Sequence, residues 1–208
     1  MKYFFQFIVV MACLFPFIGC KRTEPPVPFT EKLALCDSLY NFDQLAEAGK
    51  LDKSSFVKYE ECLCNTIVPS VQFKTDEGAD LSTDKLKGKS YIFYTWNDRQ
   101  AGFAQDLSYL KKLRDENKGK LEVVALSMFD PAILPPPLPT GLGSMYNITF
   151  GIEVLRTGFG LNPNFPMALF IDSKGVVQDI FTGYTYNFRL SEQERRERID
   201  KGVKKILK

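Results

Sequence analysis

Residues 90–113 read SYIFYTWNDRQAGFAQDLSYLKKL, and the reading of this stretch decides the fold. Tyr91 to Trp96 is a run of aromatic and β-prone residues, the composition of a buried strand. Asn97-Asp98-Arg99-Gln100 makes a short polar turn. Beyond it Phe103, Leu107, Leu110 and Leu113 recur at helical spacing, with Lys111, Lys112 and Arg114 between or beside them. A strand, a tight turn and a helix leave the turn at a helix N-terminus, where free backbone N–H groups and the macrodipole favour negative charge.

Downstream, Leu121 to Met128 (LEVVALSM) is a continuous apolar run suited to a buried parallel strand. The segment that follows carries Pro135, Pro136 and Pro137 in succession, which preclude a helix and favour polyproline II. It reads as a rigid surface loop, or as a wall or docking strip beside a groove. Met167 to Ile171 and Val176 to Phe181, joined by Asp172 to Gly175, are predicted to form an antiparallel hairpin. Ser191 and Glu194 have the spacing of a capping box ahead of a helix with Ile199, Val203, Ile206 and Leu207 on one face.

Upstream, Thr30 to Asn65 is predicted helical in two or three pieces. Leu33, Cys36, Leu39 and Tyr40 share one face, Gly49 stops a helix, and Ser54 or Ser55 caps the helix carrying Phe56, Tyr59 and Leu63. The acid pairs Glu60-Glu61, Asp76-Glu77 and Asp115-Glu116 are expected on solvated faces or in turns.

Gly88-Lys89 leading into the strand that ends at Trp96 resembles the start of the thioredoxin-like core in thiol-disulfide oxidoreductases of the TlpA and AhpC/TSA type. Phe165-Pro166 followed by Met167 to Gly175 resembles the run that carries the cis-proline of the same family. Val68 to Phe73, the turn at Asp76 to Gly78 and Leu81 to Lys89 resemble its leading hairpin. The resemblance implies an α/β thioredoxin-like fold, a central mixed sheet flanked by helices, over residues 66–208. A helical N-terminal extension would occupy residues 30–65. It also implies that Pro166 is cis. The family places Cys-x-x-Cys at the helix start, and here those positions read Asn97 and Gln100. A helix N-terminus lowers a thiol pKa so that a thiolate can attack a disulfide; an amide side chain supplies no such nucleophile.

Composition narrows the remaining chemistry. The chain of 208 residues has no histidine, which removes His-paired nucleophiles, His general bases and most zinc or haem ligation. Lys+Arg of 27 against Asp+Glu of 25 implies no nucleic-acid partner. No phosphate-binding glycine loop is present, and neither a cofactor nor a metal is expected. At the N-terminus Lys2 precedes an apolar run to Gly19, and Phe17-Ile18-Gly19-Cys20 resembles the lipobox of bacterial lipoproteins. Residues 1–19 are expected to be a signal peptide, Cys20 the lipidated residue that attaches the chain to a membrane, and residues 20–29 a Pro-rich tether. No acidic run follows Cys20, which favours the periplasm-facing side of the envelope over the cell surface.

The cysteines left for chemistry are Cys36, Cys62 and Cys64. Cys36 is expected to pair with Cys62 or Cys64 and staple two helices; the alternative is a relocated redox centre in which the three exchange disulfides. Two functions follow. The first is a protein- or peptide-binding module that uses the family's groove, with Trp96 and Phe165 as an apolar floor, Asp98 and Arg99 as a polar rim, and Pro166 beside them. The second is a thiol-disulfide oxidoreductase or peroxiredoxin-like reductase working through Cys36, Cys62 and Cys64.

Overall fold

The computed structural model describes residues 24–208 except 51, 76, 97–101, 128–145, 149–150, 162–166 and 183–189. The strand Ser90–Trp96 is buried along its whole length because it lies inside a sheet with helices on both faces. In chain order the elements are β1 (Val27–Pro28), α1 (Phe29–Leu39), α2 (Phe42–Glu47), α3 (Lys53–Leu63), β2 (Thr66–Ile67), β3 (Gln72–Lys74), β4 (Asp80–Ser82), α4 (Thr83–Leu86) and β5 (Ser90–Trp96). They continue with α5 (Phe103–Glu116), β6 (Leu121–Ser127), β7 (Tyr146–Ile148) and α6 (Gly151–Glu153), which runs into a π-helical stretch, Val154–Phe159. The chain ends with β8 (Met167–Ile171), β9 (Val176–Thr182) and α7 (Glu192–Ile206).

The main sheet has the order β1-β2-β9-β8-β5-β6-β7, and β3 pairs with β4 in a separate two-stranded sheet. β5 runs parallel to β6 and antiparallel to β8, and β8 and β9 form the predicted hairpin. Because side chains alternate along β5, the sheet divides two cores. Tyr91 and Phe93 face one core with α1, α3 and the π-helical stretch. Ile92, Tyr94 and Trp96 face the other with α5 and α7. The Ser191–Glu194 capping box forms in both directions.

Details of the N-terminal helices depart from the sequence reading. The buried stripe of α1 is Phe29, Leu33 and Cys36, whereas Leu39, at the helix end, is 61% exposed. Spacings of four and three residues carry that stripe toward Tyr40, and Leu39 lies a helical step to one side. Asp52, rather than Ser54 or Ser55, is the N-cap of α3; its carboxylate accepts from the Ser55 backbone N–H at 2.9 Å. Both serine hydroxyls also donate to it, and these bonds hold its pKa below the ordinary value. Val27–Pro28 pairs with Thr66–Ile67, so the Pro-rich segment joins the sheet before residue 29.

Glu60 is not solvated but 2% exposed. It lies four residues after Phe56 and three before Leu63, on the face that α3 turns toward β9. Its carboxylate accepts from the Thr182 N–H (2.8 Å), the Thr182 hydroxyl (2.6 Å) and Arg198 (2.6 Å). One acid thus ties α3, β9 and α7 together.

Candidate functional site

The two stretches singled out from the sequence meet at one end of the sheet. Antiparallel pairing of β5 with β8 reaches Tyr94 opposite Ala168. One residue further the Thr95 side chain takes over: its hydroxyl oxygen accepts from the Met167 N–H at 2.6 Å and lies 3.2 Å from the Met167 carbonyl. Thr95 immediately precedes Trp96, and Met167 immediately follows Pro166. A side chain thus pins the two motifs where the backbone ladder stops.

Trp96 is 1% exposed and stacks on Phe103 with ring centroids 5.5 Å apart. It closes the strand end inside the core and offers no open surface. Asn97, Asp98, Arg99, Gln100, Phe165, Pro166 and Cys20 lie outside the described residues, as do the 1–19 segment and the triple-proline run.

On the α5 side of this end sits a buried ionic cluster that the sequence reading missed. Asp106, in the first turn of α5, is fully buried. Its Oδ2 accepts from the Tyr94 hydroxyl (2.7 Å) and from Arg195 Nε (2.7 Å). Oδ1 has no hydrogen-bond partner among the described residues. The signal was present: Asp106 stands three residues after Phe103 and four before Leu110, and Arg195 stands four before Ile199. Gly102, at the N-cap with φ +84°, allows the close approach; a Cβ there would lie 2.3 Å from an Arg195 guanidinium nitrogen.

The thiols are elsewhere. Cys36 and Cys62 form a disulfide with Cα atoms 6.0 Å apart, joining α1 to α3. Cys36 and Cys62 pack with the core on the face opposite α5, so the sheet separates the disulfide from that helix. Cys64, just past α3, is free and half-buried, and its thiol donates to the Glu60 carbonyl at 3.3 Å. Burial first, then the neighbouring Asp179 carboxylate, push its pKa up to about 11. At neutral pH this is a protonated thiol, the reverse of an activated one. Among the described residues no group of three or more Cys, Asp or Glu is placed to hold a metal ion.

On the face opposite α5, near Met167 and Thr182, α1, α2 and α3 enclose a cavity of about 440 Å³. Tyr40, Phe42, Phe56 and Tyr59 contribute to its lining. These four rings touch one another: Phe42 stacks on Phe56 at 4.8 Å and meets Tyr59 edge-on at 5.1 Å, and Tyr40 meets Tyr59 at 6.4 Å. The Asp37 carboxylate at the rim accepts the Tyr59 hydroxyl at 2.8 Å. Burial and this carboxylate raise the Tyr59 pKa, so the phenol stays protonated.

The sheet order, the two flanking helix layers and the β5–α5–β6 unit followed by the β8–β9 hairpin define a thioredoxin-like fold. No family model matches the chain. It is 27% identical over 135 residues to the thioredoxin-like protein YneN of Bacillus subtilis (strain 168), a match that covers 64% of this chain and 76% of that protein. Among solved structures, a Chlorobium tepidum protein assigned as thiol:disulfide interchange protein DsbE superposes with a TM-score of 0.50 at 12% identity. That match covers 68% of this chain and 96% of the other. The chain therefore has the scaffold of proteins whose names describe thiol exchange, while its sequence contains no Cys-x-x-Cys.

Proposed function

We propose that this chain is an envelope lipoprotein, anchored through lipid on Cys20, whose thioredoxin-like domain binds extended polypeptide without exchanging disulfides at the helix start. The observation that carries the reading is the fate of the sulfur atoms. Asn97 and Gln100 stand, in the sequence between β5 and α5, where the family carries its two cysteines. Two of the other thiols are spent in the Cys36–Cys62 staple, and the third is held protonated. Thiol exchange needs an accessible thiolate or a disulfide that a substrate thiolate can reach; Cys36 is fully buried in the core and Cys64 stays protonated. The reading assigns binding to the groove that the family resemblance implies beside Pro166, where polypeptide backbone would pair with the protein backbone.

The test is binding of a thiol-free unfolded polypeptide. Reduced, carboxymethylated insulin B chain carrying a fluorophore is titrated with the soluble chain beginning after Cys20, and anisotropy is read. Saturable binding, weakened at least tenfold by Phe165→Ala, is the expected outcome. Absence of binding, or binding indifferent to that substitution, would contradict the groove as the working surface.

A further inference from the structure

The cavity beneath α1, α2 and α3 is assigned no role by the binding reading above, and its chemistry is specific. Its inner part is mainly apolar, formed by the buried Leu33, Phe56, Leu63, Met167 and Ile180 beside the Thr182 hydroxyl, which donates to Glu60. Its outer part is aromatic and negative: Tyr40, Phe42 and Tyr59 stand beside the exposed Asp37 carboxylate. No lysine or arginine is among the described residues that line it. Its volume, about 440 Å³, lies in the range of small-ligand sites, roughly 300–1,000 Å³.

We propose that this cavity is a binding site for an organic cation: an apolar body in the inner part, and an ammonium or guanidinium head against Asp37 and the ring faces of the rim. Aromatic faces attract cations through their quadrupole, and the attraction grows as the site is desolvated. The Asp37 carboxylate adds a unit charge, whereas an anionic ligand would meet it with no lysine or arginine among the described lining residues to offset the repulsion. The disulfide supports the site mechanically, because Cys36 precedes Asp37 and Cys62 follows the Tyr59 turn of α3. This holds the Asp37–Tyr59 bond between two covalently joined helices.

Calorimetric titration of the soluble, disulfide-intact chain separates the possibilities. Four probes are used: 2-phenylethylammonium, neutral 2-phenylethanol, phenylacetate, and the capped peptide acetyl-Ala-Arg-Ala-amide, which carries the same cationic chemistry on a polypeptide. The cations are expected to bind at least tenfold more tightly than the alcohol, and the acetate more weakly still. Tighter binding of the amine assigns a free small molecule as the natural source of the cation; tighter binding of the peptide assigns a side chain. Asp37→Asn should erase the preference for cation over alcohol. Asn41 also lines the cavity and caps α2, so Asn41→Asp, which keeps a good helix cap while adding a carboxylate to the lining, should increase it. Equal affinity for the charged and neutral probes, no binding of either cation, or a preference that Asp37→Asn leaves unchanged would overturn the proposal. Because none of these readouts involves Phe165, failure here leaves the polypeptide-groove reading standing, and the reverse also holds.

Discussion

The most consequential single residues are acids that the fold has taken out of water. Asp106 survives as a buried carboxylate because Arg195 and Tyr94 both reach it. Breaking a buried ion pair from one side leaves an uncompensated charge, a cost of about 3–5 kcal/mol. Arg195→Met should therefore lower stability by that order, read as a fall in the urea midpoint. The double variant Asp106→Leu, Arg195→Met should recover much of the loss, because no buried charge remains. Cys64 offers a second test at this scale. Its folded pKa is raised from 9.0 to about 11, so the fold favours the protonated thiol. That contribution is fully present below the unfolded-state value and disappears as pH rises toward 11. The stability difference between the wild type and Cys64→Ala should shrink across that interval, and iodoacetamide should label Cys64 slowly at pH 8 under native conditions. Fast labelling at pH 8 would show that the thiol is not held as described.

At the scale of elements, the Cys36–Cys62 bridge fastens α1 to α3 across a sequence separation of 26 residues. In the chain-entropy account a loop of this length contributes roughly 3–4 kcal/mol by restricting the unfolded chain. Cys36→Ser with Cys62→Ser should lower stability by that order in a denaturant titration. The helices should still fold onto the sheet, because Leu33 and Leu63 remain buried in the core and Glu60 still joins α3 to β9. Elements were the most legible scale in the sequence. The apolar run of β5 and β6, the 3.6-residue period of α5, the turn between β8 and β9 and the α7 capping box each express a local rule, and each appears where that rule puts it. The exceptions share one cause. Glu60, Asp106 and Arg195 are charged residues on apolar faces, and composition alone marks them as solvated. Only their spacing against Phe56, Leu63, Phe103, Leu110 and Ile199 shows that they point inward, and their partners come from distant parts of the chain. The aromatic cavity was illegible for a related reason: Tyr40, Phe42 and Tyr59 become neighbours of Met167 and Thr182 only after α1, α2 and α3 pack on the sheet.

For the whole molecule, scaffold and thiol chemistry are separable. The sheet, with one core on each face, fixes the end of β5 against the start of β8 through Thr95 and Met167. The contacts that make this packing come from Thr95 and Met167 and involve no cysteine among the described residues. Asn97→Cys with Gln100→Cys should confer dithiothreitol-dependent insulin reduction on a chain that otherwise lacks it, because the pair rebuilds the Cys-x-x-Cys spacing in the stretch between β5 and α5. The most direct measurement is that same turbidity assay on the unaltered soluble chain, with the cysteine-restored variant alongside as the positive control. The unaltered chain is expected to leave the uncatalysed rate unchanged. Catalysis that disappears on Cys62→Ser or Cys64→Ser would contradict it and return the remaining thiols to the centre of the mechanism.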